Sequence, residues 1–292
     1  MEQWTVGKLL TWMNGYLTDR GVDAPRLSAE LLLSHVSGCK RIELYTNFDR
    51  VVEQARLDEL RGLVKRCGEH EPVAYLVGRC EFYSLEIRVN RACLIPRPET
   101  ELLVERAIDR LRMRQMPATV LDLCTGSGCI AVAIARNAPD CRVVATDLSD
   151  EALSAADENV RAHGLAERVQ LMCGDLFDPL ISGLDATSFD LIVSNPPYVT
   201  SAEMEALDRN VKDYEPVSAL HGGVDGLDVY RRIANGVGPF LKNDGILMLE
   251  IGFAQGPAVR RLLEAAELFT EITVEKDGSN NDRIVIALRK KT

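Results

Sequence analysis

The residues best suited to chemistry stand in one short run, Asn195-Pro196-Pro197-Tyr198, directly after the apolar segment Phe189-Asp190-Leu191-Ile192-Val193-Ser194. An apolar strand ending in asparagine delivers a side-chain amide to the edge of a sheet. The two prolines lack N–H groups and fix φ, so the backbone leaves the strand rigidly while their carbonyls stay free as acceptors. Such acceptors suit a substrate NH2 group conjugated to a π-system. The Asn195 side-chain oxygen takes one N–H, the Pro196 carbonyl takes the other, and Tyr198 stacks on the planar group. Drawing the hydrogens away pushes electron density back onto nitrogen, whose lone pair can then attack a sulfonium methyl in line. An amide nitrogen is a poor nucleophile, so positioning and directed hydrogen bonds must supply much of the acceleration. Neither a strong base nor a metal is required, because the proton becomes very acidic once the methyl has transferred. Read in isolation, Asn-Pro and Pro-Pro mark ordinary loops; the functional reading depends on what precedes them.

What precedes them is a glycine turn and an acid. Leu121-Asp122-Leu123-Cys124-Thr125-Gly126-Ser127-Gly128-Cys129-Ile130-Ala131 reads as an apolar strand, a tight turn and a helix start. In open α/β sheets such a turn lies at the carboxyl edge, where ligands bind, and Gly126 and Gly128 allow close backbone approach. Asp147 ends a second strand 19 residues after Gly128, the usual position for holding ribose hydroxyls. Asp122 either satisfies local backbone donors or contacts a cationic cofactor. The spacing Gly126-x-Gly128-x-x-Ala131 also fits a dinucleotide fold, so NAD stays an alternative to a nucleoside cofactor at this point. A hydride-transfer enzyme, however, has no use for Asn195 to Tyr198.

The elements that position these groups fall into two sets. Val6, Leu9, Leu10, Met13 and Leu17 recur at helical spacing. Pro25 opens a second helix, with Leu27, Leu31, Leu32, His35 and Val36 on its apolar side and Gly38 at its end. A third runs from about Val51 to Cys67, so a small helical domain over residues 1–78 is expected. Alternation in Phe82-Tyr83-Ser84-Leu85-Glu86-Ile87-Arg88-Val89 predicts a β-hairpin linker over 79–95, and Pro98 begins a helix. Over 96–292, strands are expected at Thr119–Cys124, Arg142–Asp147, Val169–Cys173, Leu191–Ser194, Ile246–Ile251, Glu271–Val274 and Ile284–Leu288. Helices around Cys129–Arg136, Glu151–His163 and Leu227–Val237 separate the earlier ones, which is a doubly wound α/β pattern. The last two strands, with no helix between them, predict an antiparallel hairpin.

Composition sets the class. Of 292 residues, 46% are hydrophobic and 27% charged, ordinary for a globular protein. No run approaches the ~18 apolar residues a membrane span needs. The N-terminus lacks the basic start and apolar run of a signal peptide, so the cytoplasm is expected. The eight cysteines form no Cys-x-x-Cys pair and the four histidines are scattered, so neither a metal site nor a disulfide framework is expected. The net charge of −10 argues against nucleic acid as partner. Residues 1–90 hold 12 Lys/Arg against 13 Asp/Glu, so the acidity lies mainly beyond them.

With these residues in place, the chain closely resembles the PrmC/HemK family of release-factor glutamine methyltransferases over nearly its whole length. The likeness is carried by Pro25-Arg26-Leu27-Ser28-Ala29-Glu30-Leu31-Leu32-Leu33-Ser34-His35-Val36, Glu71-Pro72-Val73-Ala74-Tyr75-Leu76 and Glu81-Phe82-Tyr83. It continues through Leu94-Ile95-Pro96-Arg97-Pro98-Glu99-Thr100-Glu101, Asn195 to Tyr198, Tyr214-Glu215-Pro216 and Asn281-Asp282-Arg283. The resemblance implies a class I, Rossmann-like methyltransferase fold with a seven-stranded sheet. It also implies N5-methylation of the glutamine in the Gly-Gly-Gln motif of class I peptide chain release factors, with S-adenosylmethionine converted to S-adenosylhomocysteine. By position, Asp122, Thr125, Gly126, Ser127, Gly128, Asp147 and Asn195 bind the cofactor, with Leu176 near its adenine. Asn195, Pro196, Pro197 and Tyr198 hold the glutamine, Asn195, Pro196 and Tyr198 are the catalytic set, and Arg97, Pro98 and Glu99 line the site. The helical domain helps dock the factor; a monomer, no direct nucleic-acid contact and no membrane are expected. The alternatives are a glutamine of a ribosomal protein or an exocyclic amine of a nucleic acid. Three positions depart from the family: Cys124 replaces a usual glycine, Tyr214 replaces phenylalanine, and Gly278-Ser279-Asn280 precedes Asn281 unusually. Glu99 also fits a simple helix cap, and Glu215 a solvated loop residue.

Overall fold

Helical periodicity in the first 80 residues produces helices whose buried stripes pack on each other. The structure, a computed structural model, describes residues 3–114, 117–183 and 188–291, without the side chains of 182 and 183. It divides into two compact units, Met1–Arg79 with Asp208–Tyr214, and Cys80–Leu207 with Glu215–Thr292. In the first, α1 (Val6–Thr18), α2 (Pro25–Ser37), α3 (Arg41–Thr46), α4 (Gln54–Gly68) and α5 (Val73–Val77) enclose a core built on Leu9, Met13, Leu17, Leu32, Leu33, Leu60 and Val64. Thr5 caps α1 through its side chain, Pro25 opens α2, and Gly38 closes it in the left-handed conformation at φ 62°. The apolar side of α2 differs from expectation. Ala29, Leu32, Leu33 and Val36 are buried, whereas Leu27 is 40% exposed. The 3.6-residue period carries Leu27 round to the solvent side. Glu30 is buried within the stripe, hydrogen-bonded by Arg26, Arg41 and Tyr45.

The predicted hairpin forms as β1 (Arg79–Phe82) and β2 (Leu85–Arg88), joined through Tyr83 and Ser84 at φ 50° and 60°. Positive φ at both turn residues matches the right-handed strand twist. It does not stand apart as a connector: Phe82 and Ile87 are buried, and β2 docks on the helix α8 described below.

The main sheet comprises β3 (Ala118–Leu123), β4 (Cys141–Asp147), β5 (Val169–Cys173), β6 (Phe189–Ser194), β7 (Leu241–Glu250), β8 (Phe269–Lys276) and β9 (Asp282–Arg289), in the order β5-β4-β3-β6-β7-β9-β8. β3 to β7 pair in parallel, and β9 pairs antiparallel with both β7 and β8, completing the expected terminal hairpin. Internal parallel strands are covered on both faces, which is why β6 is buried at every position. β7 starts earlier than its apolar run suggests, because Leu241 pairs with Phe189 across a register shift before Ile246 meets Leu191.

The helices of this unit begin with α6 (Thr100–Met113), α7 (Cys129–Asn137) and α8 (Asp150–Ala162). Short α9 (Asp178–Gly183), α10 (Ser201–Ala206) and α12 (Val217–Leu220) lie in connections, while α11 (Arg209–Lys212) belongs to the first unit. α13 (Asp228–Gly236) and α14 (Gly256–Ala265) pack on the β7 side, with Tyr230, Ile233, Val259 and Leu263 in the core. α14 was not anticipated; its polar Arg260, Arg261 and Glu264 alternate with the buried pair Val259 and Leu263 on a single narrow stripe. Asn159 of α8 ties the hairpin down. Its side chain accepts from Arg88 N and donates to Arg88 O and Ser127 O, each within 2.9 Å. No helix among the described residues is long and apolar enough to cross a membrane.

Candidate active site

β3 is flanked by β4 on one side and β6 on the other, so the chain winds in opposite directions from it. That reversal opens a crevice at the carboxyl ends of the strands. A cavity of about 470 Å³ lies there, the size of a small-molecule site. Its wall is drawn from the loops after β3, β4, β5 and β6 and from the segment entering α6.

The β3 loop is fixed by backbone geometry. Cys124, Gly126 and Gly128 all have left-handed φ, at 58°, 56° and 76°. Thr125 N donates to Thr146 O at 3.0 Å, and Gly126 N to Asp147 Oδ2 at 2.8 Å. Asp147 Oδ1 accepts from Ser149 N at 2.9 Å, so this carboxylate fastens two loops at once. Each of its oxygens keeps a second lone pair for a hydroxyl donor. A Cβ on Gly126 would meet nothing within 4 Å, whereas one on Gly128 would come within 3.0 Å of Ala156 Cβ. Gly128 therefore lets α8 approach the loop, and Gly126 presents open backbone to the cavity.

Asp122 lies below this loop, not in its wall. It is fully buried, Oδ2 accepts from the Thr125 hydroxyl at 2.6 Å, and Oδ1 has no partner. Burial pushes its carboxyl up to about 7, with Asp147 adding to the effect and the Thr125 bond opposing it. Of the two sequence readings, support of the loop is the one the geometry fits.

The β6 loop is held from further away. Asn195 is half-buried and its Nδ2 donates to Thr100 Oγ1 at 3.2 Å. Gln255, at the entrance to α14, donates to Tyr198 O at 3.0 Å and accepts from Gly252 N at 2.9 Å. Pro196 is buried, and Tyr198 packs against the core, where burial raises its phenol to about 12. Arg97 is paired with Glu215, which also accepts from Ile95 N at 3.2 Å. Glu215 is thus a buried clamp and not a solvated loop residue. Burial raises its carboxyl, and the Arg97 guanidinium opposes that rise.

Of the residues singled out in the sequence, Arg97, Thr125, Gly126, Ser127, Asp147, Leu176, Asn195 and Pro197 share the cavity wall. Asp122, Gly128, Pro98, Glu99, Pro196 and Tyr198 are not in it. Pro98 and Glu99 are exposed, and Glu99 occupies the cap position of α6 without a side-chain capping bond. Leu176, at φ 48°, is held over the wall by Thr146 Oγ1, which donates to its carbonyl at 3.1 Å.

Residues 8–78 match the family model described as PrmC N-terminal domain, and residues 99–212 match Methyltransferase small domain. A release factor glutamine methyltransferase of Rhodopirellula baltica is 44% identical over 286 residues, covering 97% of this chain and 95% of that protein. Its counterpart in Geobacter sulfurreducens is 43% identical, covering 97% and 96%. The chain belongs to the release factor glutamine methyltransferase family. A solved methyltransferase from Pyrococcus furiosus, 17% identical, superposes with a TM-score of 0.51 over 72% of this chain and 91% of that one, and shows the shared fold. The larger unit is accordingly a Rossmann-like methyltransferase domain with a seven-stranded sheet.

Cys124 holds a left-handed φ of 58°, the conformation glycine adopts without cost. The Tyr214 hydroxyl donates to Glu69 O at 3.0 Å within the helical unit. Arg283 of the Asn281-Asp282-Arg283 stretch pairs with Asp277 at 3.1 Å, and its carbonyl accepts from Ile251 N at 2.9 Å. It secures the end of β7 and does not enter the cavity wall. Sequence reasoning missed Thr100 and Gln255, which hold Asn195 and Tyr198 from far along the chain and carry no local signal.

Proposed function

We propose that this enzyme methylates the side-chain amide nitrogen (N5) of the glutamine in the Gly-Gly-Gln motif of class I peptide chain release factors, using S-adenosylmethionine. One observation carries the reading. Asn195, with its Nδ2 engaged by Thr100, shares a single cavity with Gly126 and Asp147. An asparagine whose NH2 is already bonded offers its oxygen to the cavity, which is the acceptor an amide substrate needs.

The cavity fits the cofactor. Gly126 leaves the backbone open, Asp147 retains lone pairs for ribose hydroxyls, and Leu176 supplies an apolar surface for a base. When bound, S-adenosylmethionine supplies an electrophilic sulfonium methyl. The chain's own contribution is orientation: Asn195 Oδ1 accepts one N–H of the glutamine, and Pro196 O is assigned to the other. Both strengthen as the nitrogen gains positive charge, so they favour the transition state over the bound substrate. The proton is released to water after transfer.

The helical unit is assigned to docking the factor, which rests on its match to the family's N-terminal domain. The test is methyl transfer from labelled S-adenosylmethionine to a purified release factor and to a copy whose Gly-Gly-Gln glutamine is replaced. Label on the intact factor alone is expected. Label on a ribosomal protein or on RNA, with none on the factor, would overturn the substrate and keep the chemistry.

A further inference from the structure

Residues 221–227 join α12 to α13 and lie along the β6 loop as a strap. Val199 N donates to Leu220 O at 2.8 Å, Gly222 N to Val199 O at 2.9 Å, and Ser201 N to Gly223 O at 3.1 Å. Strap and loop therefore run side by side, with Val199 and His221 bridged in parallel. His221 Nε2 and the Ser201 hydroxyl add a side-chain tie at 2.9 Å. Both ends of the strap are anchored. Leu220 is buried, and Tyr230 of α13 donates its hydroxyl to Glu250 O at 2.7 Å in the core. Ser218 and Ala219 of α12 and His221 share the cavity wall with Asn195 and Pro197.

The approach is closest at Gly222. A Cβ there would come within 2.7 Å of Pro197 O and 2.8 Å of Tyr198 Cα, backbone atoms that cannot swing aside as a flexible side chain can. The φ of Gly222 lies outside the left-handed region, so space, and not backbone strain, is what excludes a side chain. Gln255 closes the arrangement. Its Nε2 donates to Tyr198 O at 3.0 Å and to Gly226 O at 3.3 Å, clipping loop and strap to one amide. Pro196 and Pro197 stiffen the loop but do not say where it stands. A stiff segment moves as a unit, so the surface it rests on sets the place of Asn195 and of the proline carbonyls. We infer that residues 221–227 are a positioning element for the β6 loop, with Gly222 setting their separation and Gln255 holding them together. The inference rests on the reading of Asn195 to Tyr198 as the loop that holds a substrate amide.

The experiment measures single-turnover methyl transfer to the release factor at saturating factor and S-adenosylmethionine, with cofactor affinity alongside, for Gly222→Ala, Gln255→Glu and Gly245→Ala. Gly245→Ala is the control for a merely structural clash. A Cβ on Gly245, in β7 and outside the cavity wall, would come within 2.7 Å of Lys242 O. That variant should melt lower yet keep the wild-type rate well below its melting temperature. Gly222→Ala should slow transfer by roughly 10- to 100-fold with cofactor affinity unchanged, as expected when a reacting group is displaced by a fraction of an ångström. A wild-type rate in Gly222→Ala, or an equal loss in Gly245→Ala, overturns the inference. Should Gly222→Ala not fold, Gln255→Glu decides. It keeps the acceptor for Gly252 N and loses the donor to both carbonyls, so transfer should slow by roughly 10-fold, and a wild-type rate overturns the inference.

A second measurement needs no protein substrate. The backbone amide resonances of Val199 and Ser201, which donate to the strap, should shift in Gly222→Ala, while those of Gly126 and Ser149 in the cofactor loops stay in place. Unmoved Val199 and Ser201 resonances, or equal shifts at Gly126, overturn the inference. A wild-type enzyme that leaves the release factor unlabelled, with Val199 and Ser201 shifted as expected in the variant, would instead point to the assigned substrate as the failure.

Discussion

The loop after β3 and the loop after β6 contribute to one cavity, but they are secured in different ways. The first is fastened by its neighbours in the sheet, through backbone bonds to Thr146 and the carboxylate of Asp147 at the end of the adjacent strand. The second depends on side chains far along the sequence. Thr100 lies 95 residues before Asn195, and Gln255 lies 57 residues after Tyr198. A binding loop that must present backbone is specified by local conformation. On the proposed reading of Asn195, an amide that presents its oxygen to the cavity needs a side-chain partner for its nitrogen, and Thr100 is that partner.

The comparison breaks most sharply if the two loops fail to separate binding from turnover. Asn195→Ala is expected to lower turnover by about 10²–10³ while leaving S-adenosylmethionine affinity nearly intact, as for the loss of one preorganised hydrogen-bonding group. Turnover rates with a cofactor titration decide this, and unchanged turnover would remove Asn195 from the chemistry. Asp147→Ala is expected to do the reverse. Losing a charged acceptor that also anchors Gly126 N and Ser149 N should weaken cofactor binding by roughly 10- to 100-fold. Turnover at saturating cofactor should change little, and a defect confined to turnover would contradict the assignment.

Asp122 tests whether the β3 loop is supported at a cost. Its folded carboxyl sits at about 7, above the ~3.9 of an unfolded aspartate. The native state then binds more protons than the unfolded state between those values, so stability falls as pH rises through that window. Asp122→Asn keeps an acceptor for Thr125 and removes the buried charge. It should raise stability by roughly 1–3 kcal/mol at pH 8 and hardly at pH 4. Glu250, also raised to about 7 by burial, adds a similar trend to both proteins, so the difference between their melting curves isolates Asp122. A gain independent of pH would show that the charge is not the cause.

Gln255→Ala addresses the other loop. It removes the donor to Tyr198 O and the acceptor for Gly252 N, which should cost about 1–2 kcal/mol in chemical denaturation. Turnover should fall with it, while cofactor affinity holds. A fall in cofactor affinity instead would mean the two loops are not independently held.

The same contrast explains what could be read in advance. Strands β3 to β6 are apolar runs close to where they were expected, and the glycine turn with Asp147 is local spacing, so the carboxyl-edge turn and its tie to Asp147 were legible in the sequence. Asn195 was legible because a polar amide ends a buried strand. Its partners were not. Thr100 looks like an ordinary helix start, and Gln255 like a loop residue before Gly256-Pro257. Nothing local says that they meet Asn195 and Tyr198. Gly128 has a packing role that was hidden for a related reason. Its φ marks a turn, but its missing Cβ faces Ala156, a contact only the packing of α8 reveals. Tyr198, expected on the substrate, lies against the core because β7 and α13 bring Glu250 and Tyr230 beneath it.

Cys124 gives the smallest expected effect and the finest test of the local side of the comparison. An L-residue with a Cβ in the left-handed region costs roughly 1–2 kcal/mol relative to glycine. Glycine in its place gives back about 0.4–1 kcal/mol through the greater freedom of the unfolded chain. Cys124→Gly should therefore stabilise the protein by a net ~0.5–1 kcal/mol. The Cys124 thiol lines the cavity, and burial pushes it up to about 12, so it is a neutral group whose removal leaves no charge behind. Cofactor affinity should then hold or rise slightly as the loop loses strain. A melting temperature lowered by Cys124→Gly would mean that the side chain's packing against the core outweighs the strain of its backbone. The β3 loop would then depend on the packing of its own side chain as well as on its ties to Thr146 and Asp147.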